Sequence, residues 1–298
     1  MAPQRPRRKV DGVLLLDKPV GPSSSAVLQA VKRLLDAQKA GHAGTLDPLA
    51  SGLLPLLFGE ATKFAQFGLD AAKEYVADVR LGIATETGDA EGAVTGRKPV
   101  AFDEGRLQEA LAGLRGEITQ VPPMYSALKR GGQPLYALAR AGETVERTPR
   151  RVTIYALEIV SRDAELLRLR VRCSKGTYVR QLAVDLGLAL GTVAHLQALR
   201  RTAVGDLRLD QAIALDDLQA LGEEGRRAWL LPPDRLLAHL PRVELEGGVA
   251  DRFAEGQTVR QTGAPPGPCR VYGAGRLLGV GEGAPDGGLL PVRLIARA

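Results

Sequence analysis

The sequence predicts an α+β protein with a small β-rich domain at its C-terminal end, and three observations carry that expectation. Leu167–Cys173 alternates, with Leu167, Leu169, Val171 and Cys173 on one side and Arg168, Arg170 and Arg172 on the other, the period of a half-buried strand. Val179, Leu182, Leu186 and Leu190 recur at helical spacing, and Gly191 follows as a stop. Twelve of the 35 Gly fall in the last 58 residues, among short apolar runs such as Val271-Tyr272 and Leu277–Val280, which is the texture of short strands and tight turns. The texture shifts around Leu231-Pro232-Pro233 and Pro241. The expected divisions are a disordered basic tail over 1–9, a main domain over 10–240 and a β-rich domain over 241–298.

In chain order, Val10–Leu16 reads as a buried strand that ends in Asp17-Lys18-Pro19-Val20-Gly21. Ser23–Ser25 offers helix caps, and Val27, Val31, Leu34 and Leu35 mark one face of a helix that ends before Gly41. Glu60–Phe67 is a short helix candidate, and Tyr75–Leu81 alternates as a half-buried strand. Thr85–Gly92 reads as a polar loop, whose acids gain no clustered His or further carboxylate that would suggest a metal. Phe102–Leu114 has helical spacing, and Pro134 starts a short helix that Gly142 ends. Arg147, Arg150 and Arg151 lie on a loop, Glu143–Arg151, either solvated or set against phosphate. Arg168, Arg170 and Arg172 likewise read as a solvent face or as a track for RNA.

Composition bounds the function classes. At 298 residues, with 45% hydrophobic and 25% charged content, the chain is of soluble globular type. A net charge of +6 suits a polyanionic partner. Cys173 and Cys269 lack C-x-x-C spacing and read as reduced thiols. The basic start, Arg5-Pro6-Arg7-Arg8-Lys9, precedes an apolar run, Val13–Leu16, too short for a secretory leader, and no stretch reaches membrane-span length. A cytoplasmic protein is expected.

One loop concentrates the chemistry. Gly41-His42-Ala43-Gly44-Thr45-Leu46-Asp47-Pro48-Leu49-Ala50-Ser51-Gly52 holds one carboxylate, Asp47, and runs into the apolar stretch Leu53–Phe58. Pro48 biases Asp47 toward extended backbone, and Gly41, Gly44 and Gly52 supply turns or close backbone approach. The layout is that of a functional loop on a rigid scaffold, although local pattern admits an N-cap or turn aspartate as well.

The same loop resembles the active-site motif G-H-x-G-x-L-D-P-x-A-x-G of the bacterial stand-alone pseudouridine synthases that act on uridine 55 in the T-loop of tRNA, the TruB family. Further resemblances follow in family order: Asp17-Lys18-Pro19-Val20-Gly21, Gln120-Val121-Pro122-Pro123-Met124-Tyr125-Ser126-Ala127-Leu128-Lys129, Ser174-Lys175-Gly176-Thr177-Tyr178-Val179-Arg180 and Leu199-Arg200-Arg201. The resemblance implies a mixed, largely antiparallel sheet flanked by helices, followed by a PUA-like RNA-binding domain over 241–298. It implies Asp47 as the essential carboxylate and Tyr75 as the residue that stacks on the target base and shares in proton transfer. Arg180 would then lie beside Asp47, within about 4 Å. His42 would fill the space vacated in the RNA, Leu199 would lie beneath the flipped base, and Lys18, Tyr178 and Lys175 would contact substrate. For Lys18 a solvated turn lysine is the alternative.

Uridine and pseudouridine are isomers that differ in whether C1′ bonds N1 or C5. The reaction needs a glycosidic bond broken, the uracil rotated and a carbon–carbon bond made, with no redox step. No cofactor or metal is expected, nor a guide RNA or obligate protein partner, and the chain is expected to act as a monomer on the tRNA T stem-loop. A catalytically silent RNA-binding protein is disfavoured by the intact Asp47, Tyr75 and Arg180 set. A glycoside hydrolase would need a second catalytic acid. The RNA-guided relatives rely on partners, whereas this chain carries the Met124–Lys129 segment and a long arginine-rich loop.

Overall fold

The computed structural model describes residues 7–126, 129–130, 132–134 and 145–296. β1 (Gly12–Lys18) is buried on both faces, which is why its sequence is apolar without alternation. Ser23 caps α1 (Ser24–Leu34), its hydroxyl accepting from the Ala26 N–H, and Val27 and Val31 face the core. β2 (Ala40–His42) pairs with β3 (Ala50–Phe58), and the Asp47 loop lies between them. A 3₁₀ turn over Gly59–Phe64 and α2 (Ala65–Asp70) replace the single helix expected over Glu60–Phe67.

β4 (Lys73–Leu81) buries Tyr75, Ala77, Val79 and Leu81, as its alternation predicts. A hairpin of β5 (Ile83–Thr85) and β6 (Val94–Arg97) precedes α3 (Glu104–Gly113) and β7 (Gly116–Gln120). β8 (Lys129–Arg130) pairs with β9 (Gln133–Pro134), so Pro134 sits in a strand and does not begin a helix there. The rest of the helix expected up to Gly142 lies outside the described residues. β10 (Arg150–Asp163) begins at Arg150, so Arg150 and Arg151 lie in a strand and only the described part of the expected loop before them, 145–149 with Arg147, is irregular. β11 (Leu166–Cys173), α4 (Val179–Ala189) and β12 (Ala194–Val204) follow.

After β13 (Leu207–Arg208) and β14 (Ile213–Ala214), a ten-stranded sheet is complete in the order β14-β1-β3-β12-β4-β11-β10-β7, with β13 beside β12 and β2 beside β3. Within this sheet, among the described residues, only β1–β14 and β3–β12 pair in parallel, so the sheet is mixed and largely antiparallel. One face packs on α1, α3 and α4 through Leu14, Leu54, Ala77, Leu107, Leu182 and Leu186. The Arg168–Arg172 side of β11 is largely self-paired. Arg168 forms a two-point contact with Asp78 (2.7 and 2.8 Å), Arg170 reaches Glu158 at 3.5 Å, and Arg172 lies over the Tyr155 ring.

β15 (Arg242–Leu245), α7 (Gly247–Ala254; α5, Leu215–Ala220, and α6, Glu223–Ala228, precede it), β16 (Val259–Arg260), β17 (Gly267–Gly273), β18 (Arg276–Gly283) and β19 (Gly288–Leu294) form the C-terminal unit. Its five-stranded sheet has its own core around Phe253, Val271 and Leu289. The unit is also bonded to the body. Val280 enters the cluster of Val13, Leu15, Leu53, Phe64 and Leu237, Lys63 donates to the Leu294 carbonyl (3.0 Å), and the Tyr272 hydroxyl binds Asp234. At the other end, the expected disorder of 1–9 does not extend to Arg8, which bridges Ala37 and pairs with Asp36 and Glu223. Both cysteines are free and buried, and burial pushes the Cys173 thiol up to about 11. Among the described residues no helix is long and apolar enough to cross a membrane.

Candidate active site

The Asp47 loop crosses from β2 to β3 without a strand partner of its own, so its backbone polar groups need other partners. Side chains from distant elements supply them. Ser24, at the start of α1, both donates to the Leu46 carbonyl and accepts from the Leu46 N–H, each at 2.8 Å. The Gly21 N–H donates to the Pro48 carbonyl at 2.8 Å, which ties the Asp17–Gly21 segment to the loop. Lys18 Nζ donates to the Ala50 carbonyl (2.8 Å) and the Pro19 carbonyl (2.7 Å). Arg201 donates to the carbonyls of Gly44, Thr45 and Leu53.

Two glycines are required by this geometry. Gly44 has φ +111°, and Gly52 has φ +101° with a notional Cβ only 2.3 Å from the Arg201 carbonyl oxygen. Gly41, by contrast, sits in β2 with room for a side chain, so the turn or close approach expected of it is absent.

Asp47 is the outward-facing product of this bracing. Its side chain is 46% exposed and caps no helix; Arg180 Nη2 lies 2.9 Å from its Oδ2. The distance falls within the reach expected from the sequence. The two η nitrogens face different carboxylates. Nη1 faces Asp89 Oδ2 at 3.4 Å and donates to the Thr87 carbonyl, while Nη2 also donates to the Tyr125 carbonyl at 2.6 Å. Arg180 thus links two carboxylates, one open and one buried, the Asp89 side chain being 4% exposed.

Arg180 is aimed by the start of α4. Tyr178 is the N-cap position and offers no side-chain cap. Buried Gln120 substitutes, its Oε1 accepting from the Tyr178 N–H (3.1 Å) and its Nε2 donating to the Tyr178 carbonyl (3.4 Å). Tyr178 is half-buried, and desolvation raises its pKa.

Beneath Asp47 lie Tyr75, Arg201 and Leu199, on one sheet face. Strand register sets Tyr75 opposite Arg201 and Ala77 opposite Leu199, and Leu199 opposite Ala50 on the other side. Tyr75 is buried, and desolvation raises its pKa, partly offset by the Arg201 charge and by a hydrogen bond between the two side chains. His42 is half-buried at the end of β2. Burial first, and the Arg201 charge second, lower its pKa, so the ring is neutral at pH 7. Lys175 is at the rim, 62% exposed and paired with Asp70 at 2.8 Å.

Lys18 is a correction to the sequence reading. It is neither a solvated turn lysine nor a side chain offered to substrate. It is 0% exposed, its ammonium is spent on two backbone carbonyls, and burial lowers its pKa to about 8 despite the opposing charge of Asp47. Asp89, Gln120 and Arg201 are the residues that sequence reasoning passed over. The signal for Arg201 was present, since it stands two residues after Leu199 on one strand face, a charged residue at an inward position.

The fold has counterparts among solved structures. "Crystal Structure of a Cbf5-Nop10-Gar1 Complex" superposes with a TM-score of 0.70 at 30% identity, over 91% of this chain and 78% of that one. "Structure of H/ACA RNP bound to a substrate RNA containing 2'-deoxyuridine" gives a TM-score of 0.73 at 25% identity, over 96% and 85%. Architecture and signature loop together are those of the pseudouridine synthases, a class of isomerases.

Residues 32–179 match the TruB family pseudouridylate synthase N-terminal domain, 180–238 the tRNA pseudouridylate synthase B C-terminal domain, and 241–295 the Pseudouridine synthase II TruB C-terminal family. Proteins called tRNA pseudouridine synthase B are similar over nearly the full length. That of Aromatoleum aromaticum is 55% identical over 290 residues (97% of this chain, 94% of the relative), and that of Burkholderia pseudomallei 56% over 301 (98% and 96%). The chain belongs to the TruB family of pseudouridine synthases.

Proposed function

We propose that this protein converts uridine 55 in the T-loop of tRNA to pseudouridine, acting without a guide RNA or obligate protein partner, as a cytoplasmic monomer. The observation that carries the reading is the Asp47 carboxylate, presented on a braced loop and held 2.9 Å from Arg180. The relatives named tRNA pseudouridine synthase B support the choice of tRNA. A net charge of +6 suits an RNA partner, and the β-rich unit over 241–298 adds binding surface in this reading.

The target uridine leaves its stack, at a cost of a few kcal/mol, and its base enters the space above Tyr75 and Leu199. Asp47 then initiates cleavage of the glycosidic bond. Arg180 fixes the carboxylate's position before substrate arrives, so little reorganisation is left for the reacting complex. Uracil rotates in place, C5 bonds to C1′, the C5 hydrogen leaves as a proton, and N1, released from C1′, takes a proton up. Tyr75 keeps its hydroxyl proton at neutral pH because burial disfavours the phenolate, which suits it to pass protons during that exchange. Neutral His42 stacks where the base has left, and Tyr178 and Lys175 contact the RNA at the rim. Lys18 acts from below by holding Ala50.

The test is to map pseudouridine in a T stem-loop RNA incubated with pure protein and with Asp47→Asn. Product at the position equivalent to 55, lost in the variant while gel-shift affinity stays within about threefold, supports the reading. Activity in Asp47→Asn, or affinity falling in step with activity, defeats it.

A further inference from the structure

Arg201 is among the largest wholly buried side chains of the protein, 1% exposed, and its known partners are backbone carbonyls and one phenol. Burying a guanidinium costs several kcal/mol unless every donor is satisfied. Here the planar fork spreads over three carbonyls: Nε to Leu53 at 2.7 Å, Nη1 to Thr45 at 3.3 Å and Nη2 to Gly44 at 3.1 Å. Those carbonyls are not neighbours along the chain. Gly44 and Thr45 lead into Asp47, whereas Leu53 lies beyond it, on β3.

The same side chain reaches Tyr75, which β-sheet register places directly across from it. β3 and β12 approach so closely at Gly52 that any side chain there would strike the Arg201 backbone. That approach brings the guanidinium to the Leu53 carbonyl.

We infer that Arg201 is a positioning residue that straps both ends of the Asp47 loop to the strand bearing Tyr75, fixing the carboxylate relative to the phenol. The inference rests on the function proposed above. One rigid group, with five donors in a plane, ties Gly44 and Thr45 on one side of Asp47 to Leu53 on the other and meets Tyr75 as well. A lysine keeps the charge but directs its donors from one point, so it holds one segment and releases the others. The loop stays attached through Ser24, Lys18 and Gly21, and it gains freedom at Gly44 and Thr45, close to the carboxylate.

Arg201→Lys therefore should fold and bind T stem-loop RNA with affinity within about threefold of wild type, and its single-turnover rate should fall on the order of 10- to 100-fold. Amide hydrogen exchange should rise locally over residues 44–53 and stay unchanged in β17. A wild-type rate, or exchange raised uniformly along the chain, would overturn the strap and leave Arg201 a general stability residue. If Arg201→Lys does not fold, exchange in the wild-type protein decides. Amides of residues 45–50 in the slow class of β12 support the strap, and amides in the fast class of surface turns overturn it. The exchange measurement needs no RNA, so an inactive wild-type protein would refute the proposed function without touching this result.

Discussion

Replacing Arg180 by lysine tests whether the site depends on a single cation serving two carboxylates. In the native protein Nη2 sits 2.9 Å from Asp47 and Nη1 3.4 Å from Asp89, and the group also donates to the Thr87 and Tyr125 carbonyls. An ammonium has one nitrogen and a shorter reach, so Arg180→Lys can serve one carboxylate at full strength. Removing one partner of a buried pair costs about 3–5 kcal/mol in the extreme. Asp89 retains bonds from the Thr87 hydroxyl and, at 3.1 Å, the Glu91 N–H, which brings the expectation down to about 1–3 kcal/mol.

At about 2–4 °C per kcal/mol for a chain of this size, the melting temperature should drop by several degrees without loss of fold. Turnover should suffer more. Misplacing a reacting group by an ångström costs about 100-fold, and release of the C5 hydrogen from uridine-labelled RNA under single-turnover conditions measures it. RNA affinity should change less than about threefold, since Arg180 is buried and its donors are turned to protein groups. Adding Asp89→Asn should recover part of the stability loss, with a coupling of about 0.5–3 kcal/mol, because the lysine then faces one charge. A wild-type rate in Arg180→Lys, or strict additivity with Asp89→Asn, would refute the two-carboxylate arrangement.

Two further outcomes follow from the packing. Val280 plugs a core cluster of the main domain, so Val280→Ala should cost about 2 kcal/mol, and truncation after Leu240 should yield a protein that melts lower and aggregates, which differential scanning calorimetry would register. A truncated protein as stable as the full chain would show the C-terminal unit to be dispensable for the body. Burial lowers the pKa of Lys18 to about 8 and of Lys73 to about 8 from 10.5, so between those values the unfolded chain binds more protons than the folded one. Stability from these two groups should accordingly rise with pH from about 8 to about 10.5, and Lys18→Met should flatten that rise in urea titrations at pH 7.5 and 9.5; an unchanged slope would count against the buried, charged Lys18.

The elements that sequence made legible are those in which one strand or helix carries its own pattern. The alternation of Leu167–Cys173, the inward face of α4 and the glycine-spaced strands after Pro241 each report burial from a few adjacent residues. Asp47 and Arg180 were legible for a different reason, since a long fixed motif marks each of them. What stayed hidden depends on partners remote in the chain. Lys18 looks like a turn lysine until the Ala50 carbonyl is brought under it. Asp89 looks like one acid of a polar loop until Arg180 arrives from α4 and covers it.

Arg200 and Arg201 show the limit most clearly. Adjacent and chemically identical, they point to opposite faces of β12: Arg200 meets Asp17 at 2.6 Å near the surface, and Arg201 enters the core. Sequence distinguishes them only once residues 194–204 are recognised as a strand in register with Tyr75. The exposed carboxylate is thus readable from its motif, while the buried cations that hold it in place acquire meaning only from the sheet. A substitution that spares the motif but disturbs the register of β3, β12 and β4 should therefore damage the site as surely as one within it.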